Sequence, residues 1–265
     1  MKNIKDIKCF VLDMDGTFYL GNRLIDGALD FLKTLKVQNK EFLFLTNNSS
    51  KNRYAYVMKL NNLGLEIEPD RIFTSGEATT IYLNGKKAGA KVFLLGTSML
   101  EEEFIKAGFT LIKDKSEHPD FVVLGFDTTL TYEKLWIACD FIRDGAEYIA
   151  THPDFNCPLE DSKYMPDAGA MIDFISASTD KRPYVVGKPN KGIIEALCKK
   201  YGYDKDDIAI VGDRLYTDIK TGENAGITSI LVLSGETSME SYNASEINAD
   251  FIYPSLKEIN EDLIK

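Results

Sequence analysis

Short apolar runs that stop abruptly on polar residues recur along the chain. Cys9-Phe10-Val11-Leu12, Phe42-Leu43-Phe44-Leu45, Tyr184-Val185-Val186, Ile208-Ala209-Ile210-Val211 and Ile230-Leu231-Val232-Leu233 show no alternation of polar and apolar positions. That is the pattern of strands covered on both faces in a parallel sheet. Residues 28–35 carry apolar side chains at helical spacing, and 54–63 read as a helix closed by Gly64. Ile72-Phe73-Thr74 is a short strand, 77–83 a helix, and the polar, glycine-containing stretch 84–90 a hinge. A second alternating series follows, with strands at 92–95, 121–124 and 148–150 and helices at 100–107 and 132–143. Trp136 lies on an apolar stripe of the last helix and reads as core. Residues 151–169, rich in Pro and Asp, predict a loop with short hairpin pieces. The first pattern resumes at Tyr184, with helices at 191–201 and 217–225, the latter capped by Gly226.

This alternation predicts an α/β fold: a doubly wound parallel, Rossmann-like sheet core with an inserted α/β second domain. The boundaries that follow are a core of residues 1–83 plus 183–265 and an insertion over 84–182.

Composition narrows the function. A chain of 265 residues with 44% apolar positions can bury a sizeable core. With 41 acidic against 31 basic residues, its net charge of −10 argues against nucleic acid or an anionic membrane as partner. An anionic substrate then needs local positive charge or a metal. Cys9, Cys139, Cys157 and Cys198 form no C-x-x-C pair and read as reduced thiols. His118 and His152 are the only histidines, too few for a histidine-rich zinc site. The first residues lack a hydrophobic signal core and no apolar run approaches a bilayer span, so a cytoplasmic location is expected.

Four strand ends carry candidate chemistry. The first strand stops on Asp13-Met14-Asp15-Gly16-Thr17, and open α/β sheets bind ligands beyond the carboxyl ends of their strands. Two carboxylates so close repel unless a cation lies between them or one is protonated; a solvated Asx turn is the plain alternative. Thr46-Asn47-Asn48 follows a buried strand and precedes a helix, a place for phosphate oxygens or for a simple helix cap. Lys188 follows a third strand, in Gly187-Lys188-Pro189, where it would pair with carboxylates or an anion. Gly212-Asp213-Arg214-Leu215-Tyr216-Thr217-Asp218 ends a fourth. A helix cap explains Asp218 well and Asp213 poorly.

Together these motifs resemble the haloacid dehalogenase-like hydrolase superfamily, and more narrowly its NagD-like or 4-nitrophenylphosphatase-like branch, in which a cap is inserted between the second and third motifs. The resemblance implies a Mg2+-dependent phosphatase acting on a small phosphorylated metabolite through an aspartyl-phosphate. It makes Asp13 the nucleophile, Asp15 the general acid and base, and Asp13, Asp213 and the backbone carbonyl of Asp15 the ligands of Mg2+. Thr46, the Asn47 and Asn48 backbone and Lys188 would hold the phosphoryl oxygens, Lys188 would also keep Asp13 ionised, and Asp218 would hold Lys188 or a metal-bound water. The cap would set specificity, with His152, Asp154 and Asp167 as candidate contacts beside the plainer reading of each as a loop or turn residue. An exposed cap face would leave room for a homodimer. The rival reading is a non-catalytic or signalling phospho-acceptor or phosphate-binding protein.

Overall fold

The computed structural model describes residues 3–158 and 163–265. In chain order, β1 (Cys9–Leu12) leads to the two-stranded ribbon β2 (Tyr19–Leu20) and β3 (Arg23–Leu24), then α1 (Ala28–Val37), β4 (Glu41–Thr46), α2 (Arg53–Asn62) and β5 (Ile72–Thr74). There follow α3 (Ser75–Lys86), β6 (Lys91–Leu95), α4 (Ser98–Lys106), β7 (Thr110–Ile112), β8 (Phe121–Leu124), α5 (Tyr132–Arg143) and β9 (Glu147–Ala150). Next come β10 (Asn156–Pro158), β11 (Tyr164–Pro166), α6 (Ala168–Thr179), β12 (Tyr184–Val185), α7 (Gly192–Tyr201) and β13 (Ile208–Gly212). The chain closes with α8 (Lys220–Ala225), β14 (Thr228–Val232), α9 (Met239–Asn243), β15 (Phe251–Tyr253) and α10 (Leu256–Ile264). Among the described residues, no helix is long and apolar enough to cross a membrane.

The chain divides into two compact units. The first comprises Met1–Thr46, Arg53–Phe73 and Lys188–Lys265; the second comprises Asn47–Asn52 and Thr74–Gly187. The first is built on a six-stranded sheet in the order β15-β14-β13-β1-β4-β5. β1 pairs in parallel with β13 on one side and β4 on the other, Leu12 standing opposite Val211 and Phe44. All four residues of β1 are fully buried, as their unbroken apolar run requires. One face is packed with aromatic side chains: Phe10 meets Phe31 of α1 edge-on at 5.4 Å, and Phe18 meets Phe44 at 4.8 Å. Each such buried side chain stabilises the fold by about 1.5–3 kcal/mol. Because the chain winds outward from β1 in both directions, the order of connection reverses at β1 and leaves a crevice at its carboxyl end.

The second unit has its own five-stranded sheet, β12-β9-β8-β6-β7, whose paired strands are all parallel. Its core joins Phe93, Leu95, Val122 and Leu124 of the sheet to Ala138, Ile142, Ile172 and Ile175 of α5 and α6. A separate hairpin pairs Asn156 with Pro166, within the stretch read as loop with hairpin pieces; residues 159–162 of that stretch lie outside the described residues.

The division falls elsewhere than the boundaries at 84 and 182. α3 runs into the first part of the stretch read as a hinge, ending at Lys86, and is started by Thr74, whose hydroxyl accepts from the Glu77 N–H. It belongs to the second unit because it packs on α4: Thr74 Oγ1 donates to Glu103 Oε1 at 3.3 Å, and Gly76 lets Leu100 close on the helix backbone. At the other end the second unit continues to Gly187, whose N–H bonds to the Thr151 carbonyl. Trp136 also departs from the reading as core: its side chain is 59% exposed, with Lys115 Nζ 4.9 Å from the ring centroid.

Candidate active site

Four of the residues singled out in the sequence meet at the carboxyl ends of β1 and β13. Leu12 ends β1, and the next residue, Asp13, donates its N–H to the Val211 carbonyl at 2.8 Å, which carries the ladder one step past the strand. Its carboxylate then leaves the sheet and meets Lys188. The Lys188 ammonium lies 2.5 Å from Asp13 Oδ1 and 2.6 Å from Asp218 Oδ1. Asp218 is sealed from solvent, and its second oxygen accepts the Arg214 N–H at 3.2 Å. Asp218 therefore turns back on the loop that carries it and anchors the lysine.

Asp213, directly after β13, lies in a narrow slot. Its Oδ2 accepts the Glu236 N–H at 2.7 Å, and its Oδ1 faces the Thr17 hydroxyl at 3.4 Å. Two glycines form the walls. A Cβ at Gly16 would come within 2.3 Å of Asp213 Oδ2, and one at Gly235 within 2.0 Å. Gly16 also has φ +87°, a backbone that only glycine adopts without strain. Ser234 ties the two walls by donating to the Gly16 carbonyl at 2.8 Å.

The electrostatics follow from burial. Loss of water drives the Asp13 carboxyl up to about 8; Lys188 opposes the rise, while Asp218 and Asp213 add to it. Burial and then Asp218 push Asp213 up to about 6 against the Glu236 N–H and Arg214. Burial alone would discharge Lys188, but the charges of Asp13 and Asp218 outweigh it and hold the ammonium charged. One lysine thus does not balance three carboxylates. Oxygens of Asp13, Asp213 and Asp218 converge to within 4.8 Å of one another, a set of hard donors that fits a divalent cation such as magnesium.

The remaining sequence candidates are placed as follows. Asp15 has an exposed side chain and stands outside the converging carboxylates, bridged through its backbone to Tyr19. Thr46 is buried at the carboxyl end of β4, the strand beside β1. Asn47 and Asn48 fall in the second unit, and their side chains are turned to partners there. Asn47 Nδ2 donates to both oxygens of Asp154 at 3.2 Å, and Asn48 Oδ1 accepts from the N–H and hydroxyl of Ser50. Each of the cap candidates has partners within that unit. His152 is fully buried, with Nδ1 2.9 Å from Thr151 Oγ1 and Nε2 2.9 Å from Asp167 Oδ1. Asp167 caps α6 through the Ala168 N–H, and the Asp154 carbonyl accepts the Gly169 N–H.

Comparison with known proteins gives the family. Residues 10–110 match the family described as haloacid dehalogenase-like hydrolase, and residues 185–259 the one described as HAD-hyrolase-like. The acid sugar phosphatase of Staphylococcus aureus is 36% identical over 99% of this chain and 100% of its own length. The chain belongs to the haloacid dehalogenase-like hydrolases. Its place is in their NagD/4-nitrophenylphosphatase branch, and it is a phosphatase of that family. The 4-nitrophenylphosphatase of Thermotoga maritima superposes with a TM-score of 0.93 at 47% identity, covering 98% of both chains. A glycerol phosphate phosphatase from Mycobacterium tuberculosis, solved in complex with magnesium, superposes with a TM-score of 0.91 at 29% identity, covering all of this chain and 80% of its own.

Sequence reasoning about this hydrolase passes over the loop after β14. Ser234, Gly235 and Glu236 surround Asp213, and the Ser-Gly pair that ends an apolar strand is the signal that marks them.

Proposed function

We propose that this hydrolase is a Mg2+-dependent phosphatase of small phosphomonoesters that works through an aspartyl-phosphate on Asp13. The observation that carries the reading is the buried Lys188 ammonium held between Asp13 and Asp218 beside Asp213, at the switch point of a parallel sheet. The substrates for which its relatives are named, sugar phosphates, 4-nitrophenyl phosphate and glycerol phosphate, support the substrate class.

Asp13, Asp213 and the backbone carbonyl of Asp15 would hold Mg2+, which when bound supplies positive charge to the phosphoryl oxygens. In the first step a carboxylate oxygen of Asp13 attacks phosphorus; the P–O bond to the leaving group breaks, and Asp15 gives its proton to the departing oxygen. In the second, Asp15 takes a proton from water, the water oxygen bonds to phosphorus, and the bond to Asp13 breaks. Lys188, the Thr46 hydroxyl and the backbone N–H groups of Asn47 and Asn48 hold the equatorial phosphoryl oxygens, where charge accumulates. Asp218 keeps Lys188 aimed by accepting its second hydrogen bond. The second unit is the part that we propose selects the leaving group.

A screen of phosphorylated metabolites for phosphate release, with Mg2+ and with chelator, tests the proposal. Release from small monoesters only in the presence of Mg2+ is expected. Release that is indifferent to chelator would overturn the metal assignment, and no release from any compound would favour the phospho-accepting alternative.

A further inference from the structure

The loop that covers Asp213 is itself tied down. Glu236, whose N–H donates to Asp213 Oδ2 at 2.7 Å, sends its carboxylate back to the β13 end of the sheet. There Glu236 Oε2 accepts the Tyr216 hydroxyl at 3.2 Å and lies 3.0 Å from Arg214 Nε, an ion pair without the alignment of a full hydrogen bond. Arg214 follows Asp213 directly in the chain, and Tyr216 lies two residues beyond Arg214. The residue beneath and the residue above the same carboxylate are thus held together from outside, and the Thr237 N–H closes the ring on the Asp213 carbonyl at 3.2 Å.

We propose that Glu236, locked by Arg214 and Tyr216, is a positioning residue that sets the direction of the Asp213 carboxylate and through it the affinity for Mg2+. The inference rests on the reading of Asp213 as a metal ligand. From the loop, Asp213 Oδ2 accepts the Glu236 N–H and meets the Gly235 wall, which stays in place only while the loop lies close, opposite the Gly16 wall. A loop that loses its tether lets the carboxylate rotate, and groups that orient a metal ligand from behind are commonly worth a factor of 10 to 100 in metal affinity. The contribution is one of geometry, and this separates it from charge: Glu236 also adds a negative charge near the cation, so the two effects need different variants.

Calorimetric titration of the chelator-stripped, intact protein with MgCl2 alone decides between them. Glu236→Ala is expected to weaken Mg2+ binding about tenfold. Glu236→Gln keeps an acceptor for Tyr216 and a polar partner for Arg214 while removing the charge; it is expected to stay within about threefold of the wild type. Tyr216→Phe removes one hydroxyl from an exposed side chain and is expected to weaken binding about threefold; it serves as the deciding variant should Glu236→Ala fail to fold. Equal losses in Glu236→Ala and Glu236→Gln would assign the effect to charge and overturn the proposal, as would unchanged affinity in Glu236→Ala or Tyr216→Phe. Asp213→Asn separates this failure from that of the underlying reading: if it binds Mg2+ as the wild type does, Asp213 is no ligand and both fall.

Discussion

Lys188 gives one buried ammonium to two carboxylates, 2.5 Å from Asp13 and 2.6 Å from Asp218. Asp218 is wholly buried while Asp13 keeps a partly exposed edge, so one partner serves as a fixed anchor and the other remains open to a substrate. In the proposed mechanism this asymmetry would let a single residue hold the nucleophile and still reach a phosphoryl group.

Lys188→Ala should therefore act on both stability and turnover. Leaving two buried carboxylates without their cation costs roughly 3–5 kcal/mol when they stay charged, less if they take up protons. Loss of a charged donor from the transition state lowers kcat/KM by about two decades or more. Steady-state kinetics and thermal melts check this together, and a near-normal enzyme would show that the lysine carries no phosphoryl contact.

Stability should depend on pH in an unusual direction when metal is removed. The Asp13 carboxyl stands raised from its ordinary 3.8 to about 8 and that of Asp213 to about 6, so the folded protein holds protons that the unfolded chain releases. The contribution is complete below the ordinary value and is lost as pH rises through the folded values. In chelator, Tm should fall between pH 5 and pH 8. Asp120 and Asp140, whose carboxyls are lowered by Lys87 and Lys115, act in the opposite sense at more acid pH. Added Mg2+ should raise Tm more at pH 8 than at pH 5, since it binds the ionised carboxylates. A melt series in chelator and in Mg2+ tests both; a Tm flat or rising across the interval in chelator would contradict the crowded, under-compensated site.

Asp15→Asn should separate leaving groups. An aliphatic alkoxide needs a proton as it departs and a nitrophenolate does not. Single-turnover release of the alcohol from an alkyl phosphate should slow far more than release of nitrophenol from 4-nitrophenyl phosphate. Magnesium affinity should hold, because the proposed ligand at this position is a backbone carbonyl. Equal losses on both substrates would remove Asp15 from the role of general acid.

The central strands were legible because burial on both faces leaves unbroken apolar runs, and polar residues stop them: Asp13 after Leu12, Thr46 after Leu45, Asp213 after Gly212, of which Asp13 and Asp213 reach the cluster of carboxylates. Residue type at a strand end does not disclose direction, so the turn of the Asn47 amide to Asp154 and of the Asn48 amide to its own turn could not be read. Trp136 shows the limit of periodicity, since a wide apolar stripe on α5 exceeds the face that the sheet covers. β7 and β15 are three-residue strands with partly exposed residues and leave no run to recognise. The contact of Glu236 with Asp213 joins segments far apart in the chain through a backbone N–H, which any residue type supplies.

The claim on which the account turns is that Asp13 carries the phosphoryl group during turnover. Rapid acid quench of the Mg2+-loaded enzyme reacting with 4-nitrophenyl phosphate, followed by peptide mass mapping, tests it directly. A phosphoryl group on the peptide containing Asp13, and an Asp13→Asn protein that folds, melts no lower than the wild type in chelator and neither labels nor turns over, is the predicted result. An Asp13→Asn enzyme that still releases phosphate, or a label found on another residue, would contradict it.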